Sequence, residues 1–439
     1  MHENNVQDKS IVSQQKLLNF YAGYCSPLVF YIWAKDKSTT YRQAVEKFFK
    51  EHGKSINKRE TEAFAVSCMC AHEYSTIKEI FCLIQNSMKN MNVNLEHEQF
   101  AKNIGEIKSR SIVSGNKEMS NYEFVKIIRN AFAHNNENDK SPVLTVCMDR
   151  KSKSWHFNIK SSDGQTQIKT TGGDLYSIFG SILYAITGVR EDIIVHGKRL
   201  NNALVGGYFD IEKINRYFEY APNSAERKEV LLDEFQKKTI LNYLAQGKPI
   251  GNYYVWNAHN LNGRNIPVAI STPELVGLVF PTVSNSERLA IQKFTLLQSF
   301  YTPLRTSLDL SMLDIVKHSI REKDTGIAIQ NALFTNIGYL DFLLITTAMH
   351  NVFSSNEIDD LEPLLVEKFE EGQLKHVRNA LQHGTYYYNF DGGFEVYDGQ
   401  RKRKHFTTVR NDDASIVFGV CGNRWGKDNI PNFYQEENE

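Results

Sequence analysis

"RNAFAH", Arg129 to His134, returns near the other end of the chain as "RNALQH", Arg378 to His383. Neither stretch holds a glycine or proline and both close an apolar-periodic run, so both read as helix. Residues four apart on a helix share a face. Asn130 and His134 therefore stand one turn apart, as do Asn379 and His383, while Arg129 and Arg378 sit at the edge of that face and can reach back over it. Each hexamer gathers a permanent cation, an amide and a titratable ring.

Reading outward, residues 12–31, 40–50, 57–90 and 119–134 carry helical apolar spacing, with Ile77, Ile80, Phe81 and Ile84 tracing one stripe. After the first hexamer the period changes. "NNENDKS" is a polar turn before Pro142; "VLTVCMD" and "WHFNIK" read as a hairpin across 143–160; "TGGDLYSIFGSILYAI" opens a helix with Asp174 as its cap. The second half repeats the order. Helices are predicted in "SAERKEVLLDEFQKKTILNYL", "SNSERLAIQKFTLLQSFYTPLRTSL", "DTGIAIQNALFTNIGYLDFLLITTAMHNVF" and "DDLEPLLVEKFEEGQLKHVRNALQH", followed by strands "TYYYNF" and "FEVYD" around a tight turn. The expected fold class is mainly α with an α+β element: two helical bundles, each followed by a short β-hairpin, packed as an intrachain pseudo-dimer. The expected domains are 1–210, with the hairpin at 143–160, and 211–439, with strands within 385–418. Polar and glycine-containing breaks put the boundary near 205–222.

The 439 residues carry 51 basic and 51 acidic side chains, which excludes a broadly basic nucleic-acid coat but permits a local basic cleft. The cysteines, Cys25, Cys68, Cys70, Cys82, Cys147 and Cys421, are scattered and lack zinc-site spacing; they read as structural thiols of a reducing cytosol. "MHENNVQDKS" is no signal peptide, and "YAGYCSPLVFYIWA" is too short to span a bilayer. A cytoplasmic chain without membrane association, metal or cofactor is expected.

Paired hexamers suit RNA strand cleavage. The 2'-hydroxyl that attacks phosphorus must lose a proton, the departing 5'-oxygen must gain one, and the phosphoryl oxygens need fixed donors. Two histidines can divide the proton work. Two arginines can hold the phosphate, and Asn130 and Asn379 add neutral donors. One hexamer supplies one histidine, so a site with two requires both copies in one cleft.

In this pattern, R-N-x-x-x-H at the end of a long helix and present twice, the chain resembles the HEPN superfamily of ribonucleases. The resemblance covers the hexamers and their helical surroundings; the hairpins are additions to the minimal domain. It implies a metal-independent endoribonuclease cleft lined by Arg129, Asn130, His134, Arg378, Asn379 and His383. It also implies an RNA target such as tRNA or mRNA, a setting in phage defence or toxin-like growth arrest, and a trigger or neutralising partner. Like hexamers can also meet between two copies of the chain in a homodimer. The alternative is a non-catalytic RNA-binding or partner-binding helical module.

Two basic runs bear on substrate. Arg150, Lys151 and Lys153 in "DRKSKS", and Arg401, Lys402, Arg403 and Lys404 in "GQRKRKH", follow the hexamers at matching places and could track an RNA backbone or be plain solvated turns. The "TYYYNF" tyrosines and Trp155 suit stacking platforms or strand packing. His259 and Arg264 fall in a polar loop, and His350 reads as a helix-end residue.

Overall fold

Polar side chains at the helix starts fix where the main helices begin. The computed structural model describes residues 18, 20–36, 38–85, 95, 98–134, 141–149, 154–187, 248–250, 253–259, 265–271, 284–297, 301–312, 314–315, 337–353, 362–365, 367–370, 372–389, 393–398 and 404–425. A π-helical turn, Tyr21–Cys25, runs into α1, Ser26–Lys35, whose Pro27 occupies the first turn, where its missing N–H is no loss. Helix α2, Tyr41–Glu51, and helix α3, Lys58–Leu83, both start from reciprocal caps, Thr40 with Gln43 and Asn57 with Glu60. Then come α4, Glu98–Ser111, the short strand β1, Ile112–Ser114, and α5, Asn121–His134, which carries the first hexamer.

Strands β2, Val143–Asp149, β3, Ser154–Lys160, and β4, Gln167–Thr171, follow as an antiparallel meander, and β1 joins its β4 edge. Helix α6, Gly172–Thr187, leaves β4 directly. A separate meander is made by β5, Lys248–Ile250, β6, Tyr253–His259, and β7, Asn265–Ser271. Next are α7, Asn285–Leu296, α8, Thr302–Thr306, and α9, Ile337–Phe353. The second hexamer ends α10, Gln373–His383, and β8, Tyr386–Asn389, β9, Gly393–Asp398, and β10, Lys404–Arg410, form a third meander before α11, Asn411–Trp425.

The fold is mostly helical with small antiparallel sheets, and the repeated order is richer than helix and hairpin. Each hexamer helix is followed by three antiparallel strands and a further helix. The helix after each meander starts the same way. The Thr171 N–H donates to the Asp174 carboxylate at 3.1 Å, and the Arg410 N–H donates to the Asp413 carboxylate at 3.0 Å. Asp174 is thus three residues inside the start rather than the cap, and the Thr171 hydroxyl accepts its N–H.

Several expectations change. The strands end at Arg410, and 411–418 is helix. "DDLEPLLVEKFEEGQLKHVRNALQH" is broken: a 3₁₀ turn, Glu362–Leu364, precedes Gly372 at φ 77°, a left-handed residue through which no continuous helix can run and from which α10 starts. The loop holding His259 and Arg264 is the mouth of the β6–β7 hairpin, with His259 opposite Asn265, while Arg264 lies outside the described residues. "SAERKEVLLDEFQKKTILNYL" and the 205–222 boundary also lie outside them.

Helix α3 is the axis of the core. Every residue from Cys68 to Phe81 is buried, and α1, α2, α5, α7, α9 and α10 pack around it. Several of its polar residues are answered from within or from neighbours: the Ser75 and Thr76 hydroxyls donate to carbonyls one turn back, and Glu73 is bound through Oε1 by Arg305 and the Tyr176 hydroxyl, while neither ring nitrogen of the buried His72 has a hydrogen-bond partner among the described residues. The Lys293 ammonium of α7 lies 3.0 Å from Glu79, both side chains at 0% exposure. The Thr347 hydroxyl of α9 donates to Glu79 at 2.6 Å and the Tyr386 hydroxyl of β8 at 2.7 Å. Cys68 and Cys70 are buried and form no disulfide. Tyr386 and Tyr388 are core, and Tyr387 packs edge-on against Tyr397 at 5.2 Å, so strand packing accounts for these rings. His350 is buried in α9 with no hydrogen-bond partner on either ring nitrogen among the described residues; burial, with Lys78 and Lys293 nearby, holds it well below the usual histidine pKa. Among the described residues no helix is long and apolar enough to cross a membrane.

Asp341 of α9 is 7% exposed, and burial pushes its pKa up to about 7. The folded form then binds its proton more tightly than the unfolded chain, whose aspartates titrate near ~3.9, so stability is full below that value and falls as pH rises towards 7. Asp341→Asn should match the native chain near pH 4 and exceed it at pH 8, by on the order of 2–4 kcal/mol. Thermal melts at the two pH values check this, and an unchanged gap between them would count against it.

Candidate functional site

The hexamer helices are placed by their apolar faces. In α5, Val125, Ile128, Ala131 and Phe132 are buried, and Phe132 meets Tyr74 and Phe81 of α3 at 5.7 and 5.5 Å between ring centroids. In α10, Leu374, Val377, Ala380 and Leu381 are buried. The opposite faces carry the candidate residues. Asn379 and His383 are exposed, Arg378 and Asn130 are half-buried, and His134 is the last residue of α5.

Both hexamers meet the C-terminal turn of α3. Arg129 donates through Nη2 to the Gln85 side-chain oxygen, just beyond the end of α3. Leu83, two residues earlier, abuts Gly384, the residue after His383; a Cβ on Gly384 would lie 3.0 Å from the Leu83 Cδ2. Gly384 has φ 68°, and its N–H donates to the Ala380 carbonyl, ending α10 in a left-handed cap. The start of α7 closes over that cap: the Asn285 side-chain amide donates to the Gly384 and Tyr386 carbonyls at 2.7 and 3.2 Å.

The two copies are not in equal states. Arg129 is committed, donating to Gln85 and, through Nη1, to Asn130 Oδ1 at 2.9 Å. Burial pulls its pKa below the usual arginine value, against Cys82 and Tyr122, which act the other way. That bond uses the Asn130 oxygen as acceptor and aims the amide NH₂ elsewhere. Arg378 has no hydrogen bond or ion pair among the described residues, although its Nε is buried. The second copy presents open donors where the first is tied down.

Of the basic runs, Arg150, Lys151, Lys153, Arg401, Lys402 and Arg403 lie outside the described residues, and Lys404 begins β10. Their places do not match. The first run joins the first and second strands of its meander, the second run the second and third. Among the described residues no group of three or more His, Cys, Asp or Glu could hold a metal ion.

A closer likeness between the helices extends beyond the hexamers. "KIIRNAFAH" and "KHVRNALQH" share Lys126 with Lys375 and Ala131 with Ala380, a match visible by aligning the copies outward from the arginine. Gln85 carries no such signal, since only the fold brings it to Arg129. No protein-family model matches the chain, and no curated protein or solved structure does either.

Arg129→Ala should lower stability by about 1–3 kcal/mol, the worth of hydrogen bonds from a charged donor, and Arg378→Ala by less than about 0.5. Gly384→Ala forces a left-handed alanine and pushes it against Ser286, and should lose at least about 2 kcal/mol. Urea unfolding of the three variants measures all of these; equal losses for the two arginines would refute the asymmetry.

Proposed function

We propose that this chain is a metal-independent endoribonuclease whose two HEPN-like helical bundles form one composite cleft. The observation that carries the reading is that both hexamer segments meet the chain at the C-terminal end of α3, through Arg129–Gln85 and Leu83–Gly384. The repeated sequence of hexamer helix, three-stranded meander and helix adds support, because it suits two related units in one pseudo-dimer.

In this cleft one histidine of the pair His134 and His383 takes the 2'-hydroxyl proton, and the other delivers a proton to the 5'-oxygen. Arg378, half-buried and without a hydrogen bond or ion pair among the described residues, holds the scissile phosphate and meets the charge that builds on its oxygens. Arg129 orients Asn130, and Asn130 and Asn379 supply neutral donors. These side chains provide both proton transfers and the charge stabilisation, so the reaction proceeds without a divalent ion and leaves a 2',3'-cyclic phosphate and a 5'-hydroxyl. A structured RNA such as tRNA, or mRNA, is the substrate, in a defence or growth-arrest role that requires a trigger or neutralising partner. Purified protein is accordingly slow on bulk RNA.

His134→Ala, His383→Ala and the double variant should each cleave about 10²–10⁴ more slowly than the native chain, with the double far short of the product of the singles because both groups act on one step. Cleavage in chelator, with the product ends mapped by enzymatic end-labelling, completes the test. Single variants that each keep half the activity would mean two separate sites. Binding without turnover in the native chain and in every variant would make the protein an RNA-binding module.

A further inference from the structure

Lys126 and Lys375 occupy the same place in the two hexamer helices, three residues before Arg129 and Arg378. Both are exposed, and neither makes a hydrogen bond or ion pair among the described residues. Glu123, the acidic side chain that could pair with Lys126 from one turn back, is used otherwise: it accepts the Ser120 N–H at 3.2 Å, and its own N–H donates to the Ser120 hydroxyl. On the C-terminal side, each lysine faces an arginine. Like charges three apart on a helix repel, at a cost of a few tenths of a kcal/mol each. Among the described residues the same uncompensated pair therefore stands twice, at the same distance from the same hexamer.

A pair of cations one turn apart, about 4.5 Å along the axis, has long side chains that can grip neighbouring phosphates of one strand, and an anion there turns the repulsion into attraction. Nothing in the helices' own packing uses these lysines, since the faces that touch α3 are apolar. Resting on the composite cleft proposed above, we infer that Lys126 and Lys375 are outer phosphate contacts for a single-stranded RNA segment, one on each side of the cleft. Arg378 holds the central phosphate, and the lysines extend the grip away from it along each helix. Lysine suits the outer positions because it acts as a point charge and requires no fixed bidentate geometry.

The test is binding of a short single-stranded RNA, 2'-O-methylated so that strand attack is blocked, followed by fluorescence anisotropy across a salt series. For single strands, log K falls with log salt by about 0.7 per phosphate neutralised. Lys126→Gln and Lys375→Gln should each reduce the slope by about that amount and weaken binding to a similar degree, and the double variant by about 1.4. Lys126→Arg and Lys375→Arg should keep the native slope, and Lys102→Gln and Lys117→Gln, exposed lysines off both hexamer helices, should not change it. Slopes unchanged in the glutamine variants, or changed equally by the Lys102 and Lys117 controls, would overturn the inference. If those slopes are native while the histidine variants lose cleavage, the inference falls and the composite cleft stands. If the native chain binds no RNA at any salt, both fall.

Discussion

Glu79 carries a carboxylate at 0% exposure near the C-terminal end of α3, and the arrangement of the chain around that helix answers to it. A buried charge costs several kcal/mol unless an opposite charge and hydrogen bonds meet it. Both oxygens are engaged, Oε1 by Tyr386 and Oε2 by Thr347 and Lys293. Lys293 is in turn held by the hydroxyls of Thr346 and Thr347 at 2.8 and 2.6 Å, although burial still pulls its pKa down to about 8. The partners come from α7, α9 and β8. Tyr386 stands three residues after His383, so the bond that satisfies the carboxylate also fixes where the second hexamer ends.

The first hexamer is located differently, by ring packing of Phe132 on α3 and by the Arg129–Gln85 bond. That difference explains the unequal state of the two arginines. An arginine anchored to its scaffold is rigid and has committed both terminal nitrogens, and one with no such bonds keeps them for a ligand. Duplicated segments placed in different surroundings need not keep the same duties.

What the sequence disclosed follows from the range of the interactions involved. Alternation and turn residues are local, so β2, β3, β8 and β9 were legible, as were α3, α5 and the run to α10. Of the third strands, β10 falls within the expected 385–418, while β4 carries no signal of its own: "QIKTT" is short and polar on one face, and its burial alternates only against its neighbours. The β6–β7 hairpin reads as a loop in sequence because Asn and Gly dominate its turn, and α4 gives little helical signal because its apolar residues are sparse. The hexamers were legible through repetition. The pairing of Glu79 with Lys293 joins residues far apart in the chain, and Gln85 with Arg129 joins neighbouring helices. No local pattern encodes such contacts.

The two carboxylates of α3 have a consequence for the chain as a unit. Glu73 relies on Arg305, and Glu79 relies on Lys293, Thr347 and Tyr386, all supplied from beyond residue 290. Cut between the repeats, the amino-terminal fragment would keep its acids and lose the bases that neutralise them, and the other fragment would be left with an ammonium that has no counter-ion. Internal likeness here does not confer autonomy. The repeats are halves of one electrostatic circuit, and fragment complementation, in which two separately made pieces fold only when mixed, is the behaviour such a circuit imposes.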